Sequence, residues 1–358
     1  MTLITQPLRV GALELPNRVV MAPLGRARAH VETREPTRSV QTYYVQRATA
    51  GLIVSEATHV SAESVSRPGT SAIHTQGQIA AWREVTDAVH AAHGRIFQQL
   101  FHLGRKADPA RLPSGGLPAA PSAIAARGEF STPEGPRPFP TPRVLAPHEI
   151  AARVTDFARA AESSLQAGFD GVEVHGANGF LVDQFLRDKA NQRGDRHGGS
   201  VENRARFLLD VVDAVIKVFG RDRVGVRLSP HATADGTDDS TPRETFSYAA
   251  AQLDARQIAY LHLIEPVDTP EPARLGPALR QAFRGPLILC GGFDRHSAEV
   301  ALEQKRADLM AFGVGFIANP DLVERLRRDA PWNPPDPGTF YSGGDQGYID
   351  YPFLDAGL

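Results

Sequence analysis

Eight short apolar runs, rich in β-branched residues and each closed by a polar or glycine-rich break, constrain this chain more than any other feature. They read NRVVMAPL, GLIVSEATHV, RIFQQLFH, DGVEVHGA, RVGVRLSP, IAYLHLIEP, PLILCGGF and ADLMAFGV. Amphipathic helical patterns separate them, among them PHEIAARVTDFARAAESSLQAG and SVENRARFLLDVVDAVIKVFG. The first of these opens with Pro147 and closes with Gly168, the residues that suit the first helical position and the position just past the last. Eight strand–helix units in succession predict an α/β fold, a (β/α)8 TIM barrel, with any ligand site at the C-terminal ends of the strands. Upstream, PLRVGALELPNRV predicts a hairpin that caps the barrel's N-terminal mouth. Between about residues 104 and 147, LPSGGLPAAPS and TPEGPRPFPTPR predict a long irregular loop. Because it follows the third strand it is expected to form a lid over the catalytic face. Residues 1–358 are expected to make a single barrel domain carrying that insertion.

Charge narrows the function classes. With 39 Lys+Arg against 41 Asp+Glu the net charge is −2, which leaves no basic footprint for nucleic acid or an acidic membrane surface. Small neutral or anionic ligands are the expected partners. The single cysteine, Cys290, rules out an intramolecular disulfide framework and a Cys-based zinc site, and its run PLILCGG reads as an inert core thiol. The start, MTLITQPLRVG, lacks the pattern of a secretory or transit segment, and no stretch approaches about 18 continuous apolar residues, so the expected location is cytoplasmic. His102, His175 and His262 fall on or after three different strands. No H-x-H on the first strand and no carboxylates at ligand spacing accompany them, and a catalytic metal is not expected. Oligomeric state has no signature in the sequence.

On the barrel reading, candidate chemistry sits at or just past the strand ends: Gly25, Arg26, Ala57, His59, Gln99, His102, His175, Asn178, Arg227, Glu265, Gly291, Gly292 and Gly313. Glycine turns after the seventh and eighth strands, CGG and FGVG, suit a backbone cradle for phosphate. Arg227 and Gln99 offer donors to a planar heterocycle, or Arg227 is structural and pairs with Glu173 or Glu265. His175 and Asn178 form a donor pair for one carbonyl oxygen on which charge develops. Alternatively, the histidine satisfies a backbone group and the asparagine caps the next helix.

These residues lie in stretches that together resemble the old yellow enzyme family of FMN-dependent ene-reductases. The stretches are LPNRVVMAPL, SEATHVSAES, GQIAAWREVTDAVHAAHGRIFQQLFHLGR, HGANGFLVDQFL, NQRGDRHGGSVENRARFLLDVVDAV, GVRLSP, AFGVGFIANPDLVERL and GYIDYPFL. The resemblance implies that FMN lies across the C-terminal mouth, is reduced by NAD(P)H, and passes hydride to the β-carbon of a small enone-type substrate. It implies that His175 and Asn178 hold the activating carbonyl and that Gln99 and Arg227 contact the flavin ring. Pro23, Leu24 and Ala57 then line the ring, Gly291, Gly292 and Gly313 cradle the phosphate, and Tyr341 overhangs the substrate pocket.

Four positions depart from the family's pattern. Phe180 stands where the family has its proton-donating tyrosine, so hydride transfer leaves an enolate that another group must quench or that reacts onward. That suits a redox-neutral isomerase as well as a reductase. Gly25 replaces the side chain that bonds the flavin C4 carbonyl, and Phe101 replaces a tryptophan in the pocket wall. Val314 stands where an arginine binds the FMN phosphate, a contact that contributes on the order of 1.5–3 kcal/mol; Arg295 is the candidate substitute. An alternative expectation is a flavin-free barrel that uses the retained pocket for non-redox chemistry such as cyclisation, or for binding.

Overall fold

The computed structural model describes residues 2–64, 67–132 and 135–354. All eight apolar runs form the strands of one closed parallel barrel. They are β1 (Val19–Met21), β2 (Leu52–Val54), β3 (Ile96–Phe101), β4 (Gly171–Gly176), β5 (Val224–Leu228), β6 (Tyr260–Ile264), β7 (Leu287–Cys290) and β8 (Leu309–Phe312). Neighbours pair in chain order, and β8 closes onto β1. The second run holds a further two-residue strand, Thr58–His59, that pairs with the end of β3. Helices α1 (Arg38–Gln46), α2 (Gln76–Ala91), α3 (Pro147–Gln166), α4 (Val201–Phe219), α5 (Pro242–Arg256), α6 (Gly276–Ala282), α7 (Arg295–Glu303) and α8 (Leu322–Arg328) follow the strands in turn. Helix α3 starts at Pro147 as its sequence predicts, with Glu149 accepting from the Ala146 amide, and the chain leaves it through Gly168 at φ 84°.

Inside the barrel, side chains stack in layers from the bottom upward. The N-terminal strands Leu8–Val10 and Leu13–Leu15 form the expected antiparallel hairpin. Their Val10 and Leu15 pack with Val20, Leu52, Phe97, Tyr260, Ile288 and Leu309, so the bottom layer is apolar and closed. Glycine makes room for its two rings. A Cβ at Gly225 would lie 2.2 Å from the Tyr260 ring, and one at Gly171 would lie 2.3 Å from that of Phe97. Two residues further along each strand the layer turns polar. The register pairs Glu173 with Gln99 across β4 and β3, and aligns His175, Arg227 and His262 across β4, β5 and β6. The outer faces of the strands and the inner faces of the helices form the main core.

The segment after β3 is more ordered than its proline content suggests. It contains 3-10 turns, a parallel pairing of Ala119–Ala120 with Arg143–Val144, and a hairpin of Glu129–Thr132 with Gly135–Pro138. Arg105 bonds the carbonyls of Asp235 and Gly236, and Lys106 pairs with the Asp235 carboxylate, so this segment is tied to the loop after β5.

Candidate active site

Two adjoining cavities open at the C-terminal ends of the strands, and Pro23 and Arg227 border both. One, of about 390 Å³, runs along the ends of β1, β7 and β8 and is lined by Leu24, Cys290, Gly292, Gly313, Val314 and Trp332, among others. The other, of about 280 Å³, is lined by Gly25, Ala57, Arg67, Thr70, Gln99, Phe101, His175, Asn178, Phe180 and Tyr341, among others. Between them they bring together Pro23, Leu24, Gly25, Ala57, Gln99, Phe101, His175, Asn178, Phe180, Arg227, Gly292, Gly313, Val314 and Tyr341, whereas Arg26, His59, His102, Glu265, Gly291 and Arg295 line neither. Gly291 packs against the end of β6, where a Cβ would meet the Glu265 carbonyl oxygen at 2.2 Å.

The floor is set by the polar layer. Gln99 Nε2 donates to Glu173 Oε1 (2.7 Å), and the other carboxylate oxygen faces His262 Nδ1 (2.9 Å). Burial alone would push the Glu173 carboxyl up, but His262, Arg227 and Gln99 outweigh it and hold the group below its usual value. Burial likewise opposes a charge on His262, yet the Glu173 carboxylate beside it leaves the imidazole above its usual value. The two therefore form a buried ion pair, with Arg227 as a further cation near the carboxylate. Arg227 makes no ion pair with Glu173 or Glu265. Its Nη2 lies 3.6 Å from Cys290 Sγ, and its buried Nε has no acceptor among the described residues. Glu265 is occupied elsewhere, accepting from the Leu275 and Gly276 amides and facing His231. Cys290 is accordingly not the core thiol its apolar run suggests. It ends β7 half-buried in the cavity wall, where His262 and Arg227 outweigh burial and hold the thiol below its usual value.

Above the floor, His175 is 3% exposed, and burial, with Arg227, His262 and Lys106 behind it, keeps its imidazole well below the usual range and hence neutral. Its Nδ1 accepts from the Ala177 amide (3.3 Å), which leaves the proton on Nε2. Asn178 takes a left-handed backbone, φ 58°, which asparagine tolerates, and its amide N–H donates to Ser229 Oγ. It caps no helix, and its side-chain amide has no partner among the described residues. Phe180 packs edge-on against His175 (4.9 Å between ring centres) and Phe101 (5.2 Å). Phe101 in turn stacks on the buried His59.

Tyr341 is 57% exposed and sits on a C-terminal loop held by two arginines of the PLGRAR run. Arg26 bonds the Phe340 and Gly347 carbonyls, and Arg28 bonds those of Thr339 and Gly344. Arg26, a strand-end candidate, thus faces this loop rather than the cavity. Among the described residues no three His, Cys, Asp or Glu side chains gather as a metal-ligand set. His102 is tied to the Gly104 amide, and burial lowers its pKa to about 3.

The far end of the larger cavity differs in kind. Val314 is 49% exposed there, Asn319 and Asn333 join across a hydrogen bond of 2.7 Å, and Arg227 is the single charged residue in the lining. Arg295, the candidate substitute cation, pairs with Asp329 and the Leu326 carbonyl instead. Sequence reasoning missed Arg67, Thr70, Trp332 and Asn333, which reach the site from loops without periodic pattern.

A closed parallel barrel with a neutral histidine, a free asparagine amide and an unpaired guanidinium at its C-terminal mouth presents a small-molecule site rich in hydrogen-bond donors. The chain belongs to the old yellow enzyme family: residues 4–333 match the model of the NADH:flavin oxidoreductase / NADH oxidase family. It is similar over 98% of its length to a probable flavin mononucleotide-dependent alkene reductase of Leishmania infantum (42% identical, 97% of that protein covered). It is also similar to 12-oxophytodienoate reductase 1 of Oryza sativa subsp. japonica (41%, covering 98% of this chain and 92% of that one). Among solved structures, morphinone reductase in complex with tetrahydroNAD superposes with a TM-score of 0.94 at 48% identity, covering 99% of this chain and 98% of that one. No helix among the described residues is long and apolar enough to cross a membrane.

Proposed function

We propose that this chain is an FMN-dependent oxidoreductase acting on α,β-unsaturated carbonyl compounds, with NAD(P)H as reductant. The observation that carries the reading is the His175 Nε2–H and the free Asn178 amide lining one small cavity whose floor is Gln99 and Arg227. The residues present fit a flavin: Arg227 Nε is a buried donor without an acceptor, and the Gly292 and Gly313 turns leave the larger cavity open beside it. When bound, FMN supplies the hydride that is added to the β-carbon of the alkene. His175 and Asn178 hold the substrate's carbonyl oxygen and stabilise the negative charge that develops there, at no cost in reorganisation because the barrel has already placed them. Phe180 offers no proton, so the enolate's fate rests on what reaches its α-carbon. Solvent protonation gives the saturated compound; an enolate that rearranges and gives its hydride back to the cofactor would yield an isomer of the substrate with no net redox change.

The uncharged far end of the larger cavity favours a second reading, a flavin-free barrel with non-redox chemistry. An absorption spectrum separates the two. The first reading expects flavin bands after incubation with FMN, bleached by NAD(P)H and restored by 2-cyclohexenone with formation of product. A protein that stays colourless in excess FMN contradicts it.

A further inference from the structure

The smaller cavity contains a charge that the proposed reaction does not use. Arg67 lines its mouth, with its guanidinium 4.4 Å from the centre of the exposed Tyr341 ring. No carboxylate among the described residues lies within ion-pair distance of it, and none lines the cavity. Arg227 at the floor adds a second positive charge to the same cavity, and it helps to lower the pKa of His175. In a chain of net charge −2, the charged residues of this pocket's lining are two arginines, Arg67 and Arg227, among otherwise neutral side chains. Contact with the Tyr341 ring leaves the guanidinium N–H groups for a planar oxyanion, which arginine can bind through two parallel bonds as it binds carboxylate or phosphate.

We propose that Arg67 reads an anionic group on the molecule bound above the His175–Asn178 pair, so that this pocket takes an enone whose body also bears a carboxylate or phosphate. The nicotinamide dinucleotide is the other source of the same chemistry. The proposal rests on the reading of His175 and Asn178 as the carbonyl-holding pair, since that pair sets which end of the ligand points outward to Arg67. Arg67 is a specificity residue that touches the ligand's remote end, and its loss is expected to act on binding and not on the chemical step.

The test uses the flavin-loaded protein and two probes, a cyclohexenone with a carboxylate on a short tether and its methyl ester. Dissociation constants come from calorimetry, and KM and kcat from turnover, for wild type, Arg67→Gln and Arg67→Lys. The wild type is expected to bind the acid roughly three- to tenfold more tightly than the ester, a partly solvated charge pair being worth no more. That preference is expected to fall with salt, to vanish in Arg67→Gln with kcat unchanged, and to return in part in Arg67→Lys. If acid and ester are alike in both proteins but Arg67→Gln raises the KM for NADH or NADPH by a similar factor, the anion is the dinucleotide's phosphate. If neither changes, the proposal is overturned. Calorimetry reads Arg67 even where turnover fails, so a protein that distinguishes acid from ester yet reduces neither would sink the proposed function and leave this inference standing.

Discussion

The two ends of the cavity system were built by different means. At the ring end the floor groups Gln99, His175 and Arg227 stand on barrel strands, and the parallel register decides their neighbours: Gln99 beside Glu173, His175 beside Arg227, Arg227 beside His262. The result is a floor in which Glu173 and His262 match each other and Arg227 is left as an aimed, unpaired donor. The far end is built by turns and by a returning segment, Gly292, Gly313, Val314, Asn319 and Asn333, and carries backbone and amides but no cation. Strand-borne groups are placed by the whole barrel and tolerate little change. Loop-borne ones can be replaced at little cost to the fold, and Val314 stands half-exposed at such a turn.

The comparison can be broken from the ring end first. Removing one oxyanion donor by His175→Ala should lower kcat/KM by about 10²–10³ while flavin binding persists, as read by steady-state rates beside the absorption spectrum. An equal loss of flavin would show that the pair does not act on the substrate.

The ring end also hosts the buried titratable groups, so pH dependence should arise there. Burial raises the pKa of Glu56, next to Ala57 in the wall, to about 7, against opposing bonds from the Arg26 amide and the Ser71 side chain. A carboxyl with a raised folded-state value contributes stability that is full below about pH 4.5 and lost as pH rises through 7. The loss is on the order of 3 kcal/mol. Urea midpoints between pH 5 and 8.5 should therefore fall in the wild type more than in Glu56→Gln. Parallel curves would refute the assignment.

At the far end, Val314→Arg should tighten FMN by about tenfold and leave riboflavin unchanged, measured by quenching of flavin fluorescence. A smaller effect is expected from Gly25→Thr. A Cβ there meets nothing within 4 Å, so the change should be tolerated and alter flavin affinity by about threefold through one added hydroxyl.

How much of this was legible in the sequence follows the same division. The strands were legible because each is a short, mainly apolar run bounded by turn residues, and α3 because proline and glycine punctuate it. His175, Asn178 and Phe180 were legible as a motif at a strand end. The Gln99–Glu173–His262 chain was not, because it depends on register between strands far apart in sequence. Nor was the exposure of Cys290 to the cavity, since an apolar strand hides which residue is its last. Arg67 lies in SVSRPGTS, where nothing periodic marks it, and only the loop's path brings it over Tyr341. The paired segments within the proline-rich insertion escaped for a like reason: Ala119–Ala120 finds its partner more than twenty residues later.

The most direct test of the contrast between the two ends is a pair of titrations of the flavin-stripped protein, one with FMN and one with riboflavin. If the ring end carries the binding, both ligands bind, with dissociation constants within about tenfold of each other, because no cation rewards the phosphate. Binding of FMN more than about 100-fold tighter than riboflavin, or of neither, would contradict the account.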